Sequence, residues 1–190
     1  MGKGKLEGII IPTLTPFGED GLVNYDVLKQ LIDRVIAAGA QGLIIAGSTG
    51  EFLALSTEER KKVLEVSVKH TNSRVPVYCA TMAPSTWETI EWTKFAEGIG
   101  SDGAMILPPW YTHPTEPEVL RQIERVAAST PLPLMIYNKP DAVCVNIAFE
   151  MVVELAKIDN VWSLKDSHPQ LSRYHHIKWR VGDGIQYLLG

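Results

Sequence analysis

Cysteine is scarce in this chain. Two occur in 190 residues, Cys79 and Cys144. They are too few for a disulfide framework and too far apart for a CxxC redox or metal pair. Such usage suits a reducing compartment, and a cytoplasmic location is the expectation. Basic charge is not in excess: 18 Lys and Arg stand against 22 Asp and Glu, for a net charge of −4. A nucleic-acid binder needs a basic face to displace counterions, so that class is excluded. No apolar run approaches the roughly 20 residues that cross a bilayer. The start, MGKGKLEG, is charged and is followed by only a short apolar stretch before Pro12. A signal peptide needs a longer apolar region and a small-residue cleavage site. Disorder is excluded as well, because 45% hydrophobic and 21% charged residues make the mix of a soluble globular domain. No linker, low-complexity tract or charge block interrupts the chain, which reads as one domain over residues 1–190.

What the chain does have is rhythm. Short apolar runs fall at residues 8–15, 42–47, 75–80, 103–107, 133–138, 161–165 and 185–190. Most are continuous rather than alternating, as in strands buried on both faces of a parallel sheet. Helical patterns lie between them. Asn24 stands ahead of Val27, Leu28, Leu31, Ile32, Val35 and Ile36, with Gly39 to end the helix. Ser56 with Glu59, Ser85 with Glu88, and Thr115 with Glu118 repeat the capping-box spacing. Asn146 precedes Met151, Val152 and Leu155, and a last stretch after Pro169 carries Leu171 and Ile177. Trp87, Trp92 and Trp179 read as helix packing residues, and Cys79 as a small buried strand residue.

Strand starts recur about every thirty residues, the size of one βαβ unit. No GxGxxG follows the first strand, which disfavours a dinucleotide fold. The expected class is α/β, a (β/α)8 TIM barrel. Such a barrel needs eight strands and typically about 250 residues. Seven are legible here. The expectation is therefore a barrel truncated after the seventh strand, missing the eighth βα unit and the C-terminal helices. It is either a fragment of a longer barrel or a shortened one that closes differently or associates to cover the gap.

In such a barrel the chemistry sits at the C-terminal ends of the strands. Lys165 closes the sixth. An ammonium drawn out of water loses hydration, and its pKa falls. The neutral amine is then a nucleophile for a ketone carbon. Alone, Lys165 reads better as a lysine that snorkels to the rim. Tyr137 ends the neighbouring strand, and with the same inward parity a phenol there can pass protons to and from a carbinolamine. Its plainer reading is a core tyrosine with a satisfied hydroxyl. Gly47-Ser48-Thr49-Gly50-Glu51 supplies two hydroxyls flanked by glycines, suited to a carboxylate or simply to a tight turn. His175 and His176 are adjacent on a helix and point different ways, and no HExxH or clustered Cys/His spacing is present, so no metal and no cofactor is expected.

Taken in order, Gly8-x-x-x-Pro12-x-x-Thr15-Pro16-Phe17, Gly47-Ser48-Thr49-Gly50-Glu51, Leu55-Ser56 with Glu59-Arg60, Tyr137-Asn138-x-Pro140 and Lys165 resemble the dihydrodipicolinate synthase / N-acetylneuraminate lyase family. The resemblance runs from Gly8 to Gly190. It implies a (β/α)8 barrel and a metal-free class I lyase or aldolase acting on pyruvate or a related 2-oxo acid. It implies that Lys165 forms the Schiff base, that Tyr137 relays protons, and that Ser48 is the relay hydroxyl. It also implies that Thr49 holds the carboxylate with nearby amides such as that of Gly47. Tyr111 matches the tyrosine that reaches a neighbouring subunit's site, so a homo-oligomer, dimer or tetramer, is implied. Two departures bear on the substrate. The synthase-branch arginine two residues past the proline is Ala142 here, and the loop reads Gly-Ser-Thr rather than Gly-Thr-Thr. Both lean towards the lyase side and a hydroxylated, sugar-acid-like substrate. A true synthase, a sugar-acid dehydratase, a hydroxypyrroline-carboxylate deaminase and a silent 2-oxo-acid binder remain alternatives.

Overall fold

The computed structural model describes residues 6–190. The first part of the charged start, residues 1–5, lies outside the described residues. Two compact units are present: residues 6–80 with Ala96–Gly103, and Thr81–Phe95 with Ala104–Gly190.

The first unit carries β1 (Ile10–Pro12), α1 (Tyr25–Ala37), β2 (Gly42–Ile45), α2 (Thr57–Thr71) and β3 (Val77–Ala80). The strands pair in parallel, Ile10 opposite Gly42 and Leu43 opposite Val77. The Asn24 side chain accepts from Val27 N, and Leu28 and Ile32 of α1 are wholly buried. Each such burial stabilises by about 1.5–3 kcal/mol. Ser56 and Glu59 form the expected capping box of α2. Asn72, left-handed at φ 48°, ends that helix. The first strand is shorter than the 8–15 run suggested. Beyond it, Thr15 Oγ1 donates to Gly50 O at 2.7 Å, and Gly18 N donates to Leu22 O at 2.8 Å. A hydroxyl contact and a tight turn thus replace the ladder.

Next come α3 (Thr86–Gly98), β4 (Gly103–Ile106), α4 (Glu116–Ala127), β5 (Leu134–Asn138), α5 (Pro140–Val143), α6 (Phe149–Leu155), β6 (Val161–Asp166), α7 (Ser172–Val181) and β7 (Gln186–Leu189). β4, β5, β6 and β7 pair in that order, all parallel. β5 is buried along its whole length. Ser85 Oγ accepts from Glu88 N at 3.1 Å, and Thr115 N donates to Glu118 Oε2 at 2.8 Å, so both later capping sites are real.

Some expectations change. Asn146 does not cap α6, whose N-cap position is held by Ala148 with no side-chain bond; Asn146 Oδ1 instead accepts from Asn138 Nδ2 at 3.1 Å. Leu171 is 71% exposed, and only Ile177 of that pair is core. Trp87 and Trp179 lie on helices but are 70% and 81% exposed, so they are not packing residues. The short α5 was not legible in the sequence, because a single turn has no periodicity to read. Cys79 is wholly buried, and burial raises its thiol to about 12. Strands joined by helices and paired in parallel make this an α/β fold of the (β/α)8-barrel kind, carried through seven strands among the described residues.

Candidate functional site

β5 and β6 meet with a register shift between Leu134 and Met135. Leu134 opposes Val161, but Met135 already opposes Ser163. Without that extra residue Tyr137 would face Leu164, whose side chain points to the other surface. With it, Tyr137 faces Lys165. The Lys165 Nζ lies 4.3 Å from the centroid of the Tyr137 ring. Tyr137 is only 4% exposed and Lys165 is half-buried. Burial pushes the Lys165 ammonium below the ordinary lysine range, and the positive charge of Lys139 adds to the effect. Lys139 itself pairs with Asp141 at 2.5 Å, and that bond raises its own pKa.

Two further residues complete this corner. Ser167 Oγ stands 3.4 Å from the Tyr137 hydroxyl, long for a hydrogen bond. Gly190 closes over both: a Cβ there would lie 2.6 Å from Ser167 Oγ and 3.0 Å from Lys165 Cε. The missing side chain is what leaves room for the lysine stem. Ser167 was not singled out from the sequence. Its only signal was its place two residues after the lysine.

Behind the pair, Asp166 is buried and ion-paired to buried Arg173 at 2.6 Å. Burial alone would raise its pKa, but bonds from Arg173, Asn138 and Tyr187 hold it below the usual carboxylate value. Tyr187 is raised by burial and by its bond to Asp166. In sequence, Arg173 reads as an ordinary helix-face residue and Tyr187 as a strand aromatic, so neither was legible as part of a site.

The loop after β4 holds Tyr111 at φ 77° and 91% exposed. In the first unit, the loop after β2 runs through Gly47, Ser48 and Thr49. Gly47 is buried, while Ser48 and Thr49 are exposed. Ala46 and Glu51 take left-handed φ values of 53° and 54°, which fold the loop tightly. Gly50 backs it, since a Cβ there would meet Thr13 O at 3.0 Å and Ala46 Cα at 3.1 Å. Glu51 N donates to Ser48 O at 3.1 Å, and Gly50 O accepts from Thr15. The turn is held by backbone bonds, which leaves both hydroxyls outward. Among the described residues no group of three or more His, Cys, Asp or Glu is arranged to hold a metal ion. None of the described helices is long and apolar enough to cross a membrane.

A parallel α/β fold with a half-buried lysine against a tyrosine at its strand ends defines a (β/α)-barrel protein with a candidate site at that pair. The chain belongs to the dihydrodipicolinate synthetase family, whose model matches residues 5–190. It is 35% identical over 184 residues to the 4-hydroxy-tetrahydrodipicolinate synthase of Syntrophobacter fumaroxidans, covering 97% of this chain and 63% of that protein. It is 36% identical over 188 residues to the protein of the same name from Psychrobacter, covering 99% and 62%. Among solved structures, the chloride-inhibited dihydrodipicolinate synthase of Acinetobacter baumannii complexed with pyruvate superposes with a TM-score of 0.96 at 31% identity, covering 98% of this chain and 64% of that one. A prophage protein of the dihydrodipicolinic acid synthase family from E. coli K12, in complex with pyruvate, gives 0.92 at 34% identity, covering 96% and 63%. The chain thus spans about 63% of the length of the relatives it matches.

Proposed function

We propose that this chain bears the imine-forming centre of a class I lyase or aldolase that acts on pyruvate or a related 2-oxo acid. The observation that carries the reading is the half-buried Lys165, its pKa lowered, with its nitrogen 4.3 Å from the Tyr137 ring. The likeness to two family members complexed with pyruvate supports the substrate class.

In this reading the neutral Lys165 amine attacks C2 of the 2-oxo acid. A C–N bond forms as the carbonyl π bond breaks, and Tyr137 passes a proton to the oxygen and takes one back from the nitrogen, which leaves a neutral carbinolamine. The carbinolamine hydroxyl leaves as water once protonated, and the nitrogen lone pair closes the C=N bond. The iminium then accepts electrons from C3, by loss of a proton or by cleavage of C3–C4, to give an enamine. Ser48 is assigned as the second relay hydroxyl, and Thr49 with the Gly47 region as the carboxylate-holding residues. Both hydroxyls are exposed, as a ligand contact needs. The chemistry needs no metal and no cofactor. Tyr111, exposed on its loop, is assigned to reach into a neighbouring subunit's site in a dimer or tetramer. The two free thiols, Cys79 and Cys144, suit a cytoplasmic location.

The test is reductive trapping. With pyruvate and borohydride, the adduct is expected on the peptide that contains Lys165. A folded chain with no adduct there removes the reading, and pyruvate binding by calorimetry without an adduct favours a silent 2-oxo-acid binder. A second reading, true synthase activity, is favoured by the names of the curated relatives. Ala142, exposed on α5 where the synthase-branch arginine is expected, disfavours it. Condensation with a carboxylate-bearing aldehyde, set against cleavage of hydroxylated 2-oxo acids, separates the two.

A further inference from the structure

The residues next in sequence to the site pair form a second cluster, in which Asn138, Asp166 and Arg173 are buried and Tyr187 is half-buried. Side chains alternate along a strand, so Asn138 and Asp166 point away from the face that carries Tyr137 and Lys165. Each carboxylate oxygen of Asp166 accepts two bonds. Oδ1 takes Asn138 Nδ2 at 2.8 Å and the backbone N of His168 at 3.0 Å. Oδ2 takes Arg173 Nε at 2.6 Å and the Tyr187 hydroxyl at 2.8 Å. Asn138 Oδ1 accepts from Ile147 N at 3.0 Å, and the Ile147 carbonyl accepts from the Arg173 guanidinium. Gly190 N donates to the Asp166 carbonyl at 3.0 Å. Asp166 therefore ties the ends of β5 and β6 to β7 and the start of α7, and through Asn138 and Arg173 to Ile147.

We propose that Asp166, anchored by Arg173, is the positioning residue of the lysine site: it locks the three strand ends so that Lys165 stays against the Tyr137 ring and beneath Gly190. The inference rests on reading Lys165 as the imine-forming amine. Asp166 lies on the opposite sheet face from the amine and acts through the strands. A buried network with every member satisfied is stiff, and it loses that stiffness once partly broken. The titratable and charged groups around Lys165 are Tyr137 on β5, Lys139 just beyond it, Asp166 on β6, Tyr187 on β7 and Arg173 on α7. The charges of Asp166 and Arg173 are opposite, so removing both changes the local field little. A change in the amine then reports geometry.

The experiment compares the full chain with Asp166→Asn/Arg173→Met. Asn160→Ala serves as a control, since that amide bonds only the carbonyls of Ala127, Thr130 and Leu132. Brief acetylation with acetic anhydride over a pH series, read lysine by lysine by peptide mass mapping, follows Lys165 against free Nα-acetyl-lysine amide added to the same solution. Wild-type Lys165 is expected to become reactive at lower pH than that free amine. In the double variant its curve moves up towards that of the free amine, and pyruvate trapping slows by about tenfold or more at saturation with little change in half-saturation. The control leaves the curve in place. An unmoved curve in a folded double variant overturns the proposal, and so does a downward shift. Should the double variant not fold, Tyr187→Phe carries the test, because it removes one donor and keeps the ring; an unmoved curve there also overturns it. A wild-type chain that pyruvate fails to trap overturns the functional reading alone, because the acetylation comparison needs no substrate.

Discussion

The Lys165 nitrogen lies over the face of the Tyr137 ring, 4.3 Å from its centroid. Two effects oppose each other there. A ring face favours the ammonium by about 0.5–2 kcal/mol. Burial and the nearby Lys139 charge favour the free amine and lower the lysine pKa. The site thus holds a lysine that is easier to deprotonate than a surface one, yet still stacked on its partner. The imine chemistry proposed for Lys165 and the stability of the fold should respond differently to changes in this pair.

Lys165→Met is expected to abolish pyruvate trapping at this position while leaving the chain folded. The variant should also be more stable than wild type near neutral pH, because a half-buried charge is replaced by an apolar stem. Borohydride mass mapping and thermal melts check the two halves.

The sign of the pH effect follows from the lowered pKa. As pH falls below the ordinary lysine value of about 10.4, the unfolded chain takes up the proton first. Wild type therefore loses stability between that value and the lower folded one, and the loss is complete below the folded pKa. The stability gap to Lys165→Met should shrink as pH rises towards that ordinary value, which chemical denaturation over a pH series reads. Lys139→Gln removes a neighbouring positive charge and should move the rise of trapping rate with pH to higher pH.

Tyr137→Phe keeps the buried ring and removes only the hydroxyl. Its contact to Ser167 is long at 3.4 Å, so stability should change by less than about 1 kcal/mol. Trapping should slow by about 10²–10⁴-fold, the usual contribution of a positioned proton donor. A rate near wild type would remove Tyr137 from the relay.

Gly190→Val places branched carbon where a Cβ already stands 3.0 Å from Lys165 Cε. The residue is exposed at a strand end, so melting should hardly move. Trapping should fall several-fold or more, because a displaced amine misses the reacting geometry.

Arg173→Met alone strands the Asp166 carboxylate without its ion partner. Removing one member of a buried pair costs about 3–5 kcal/mol. Because Asp166 is held below its usual value when folded, its share of stability is present above about pH 3.9 and is lost as pH falls through the lower folded value. The variant should lose that acid-limb dependence, as seen in an acid titration followed by circular dichroism.

The sequence by itself determined the alternation of strands and helices. Continuous apolar runs such as the one at 133–138 can only be buried on both faces, and the Ser56–Glu59 spacing caps a helix through contacts three residues apart. It also marked Lys165 and Tyr137 as candidates, through the ordered series of motifs in which they stand, since each alone reads as an ordinary rim or core residue. Local chemistry suffices for the alternation and the caps. The seat of Asn146, the exposure of Trp179 and the ion pair of Asp166 with Arg173 depend on what lies opposite, and no local pattern records that. The clearest case is the shift between Leu134 and Met135. One residue more on β6 turns Tyr137 from Leu164 to Lys165, and only the pairing of two strands across the sheet can decide which side chains meet.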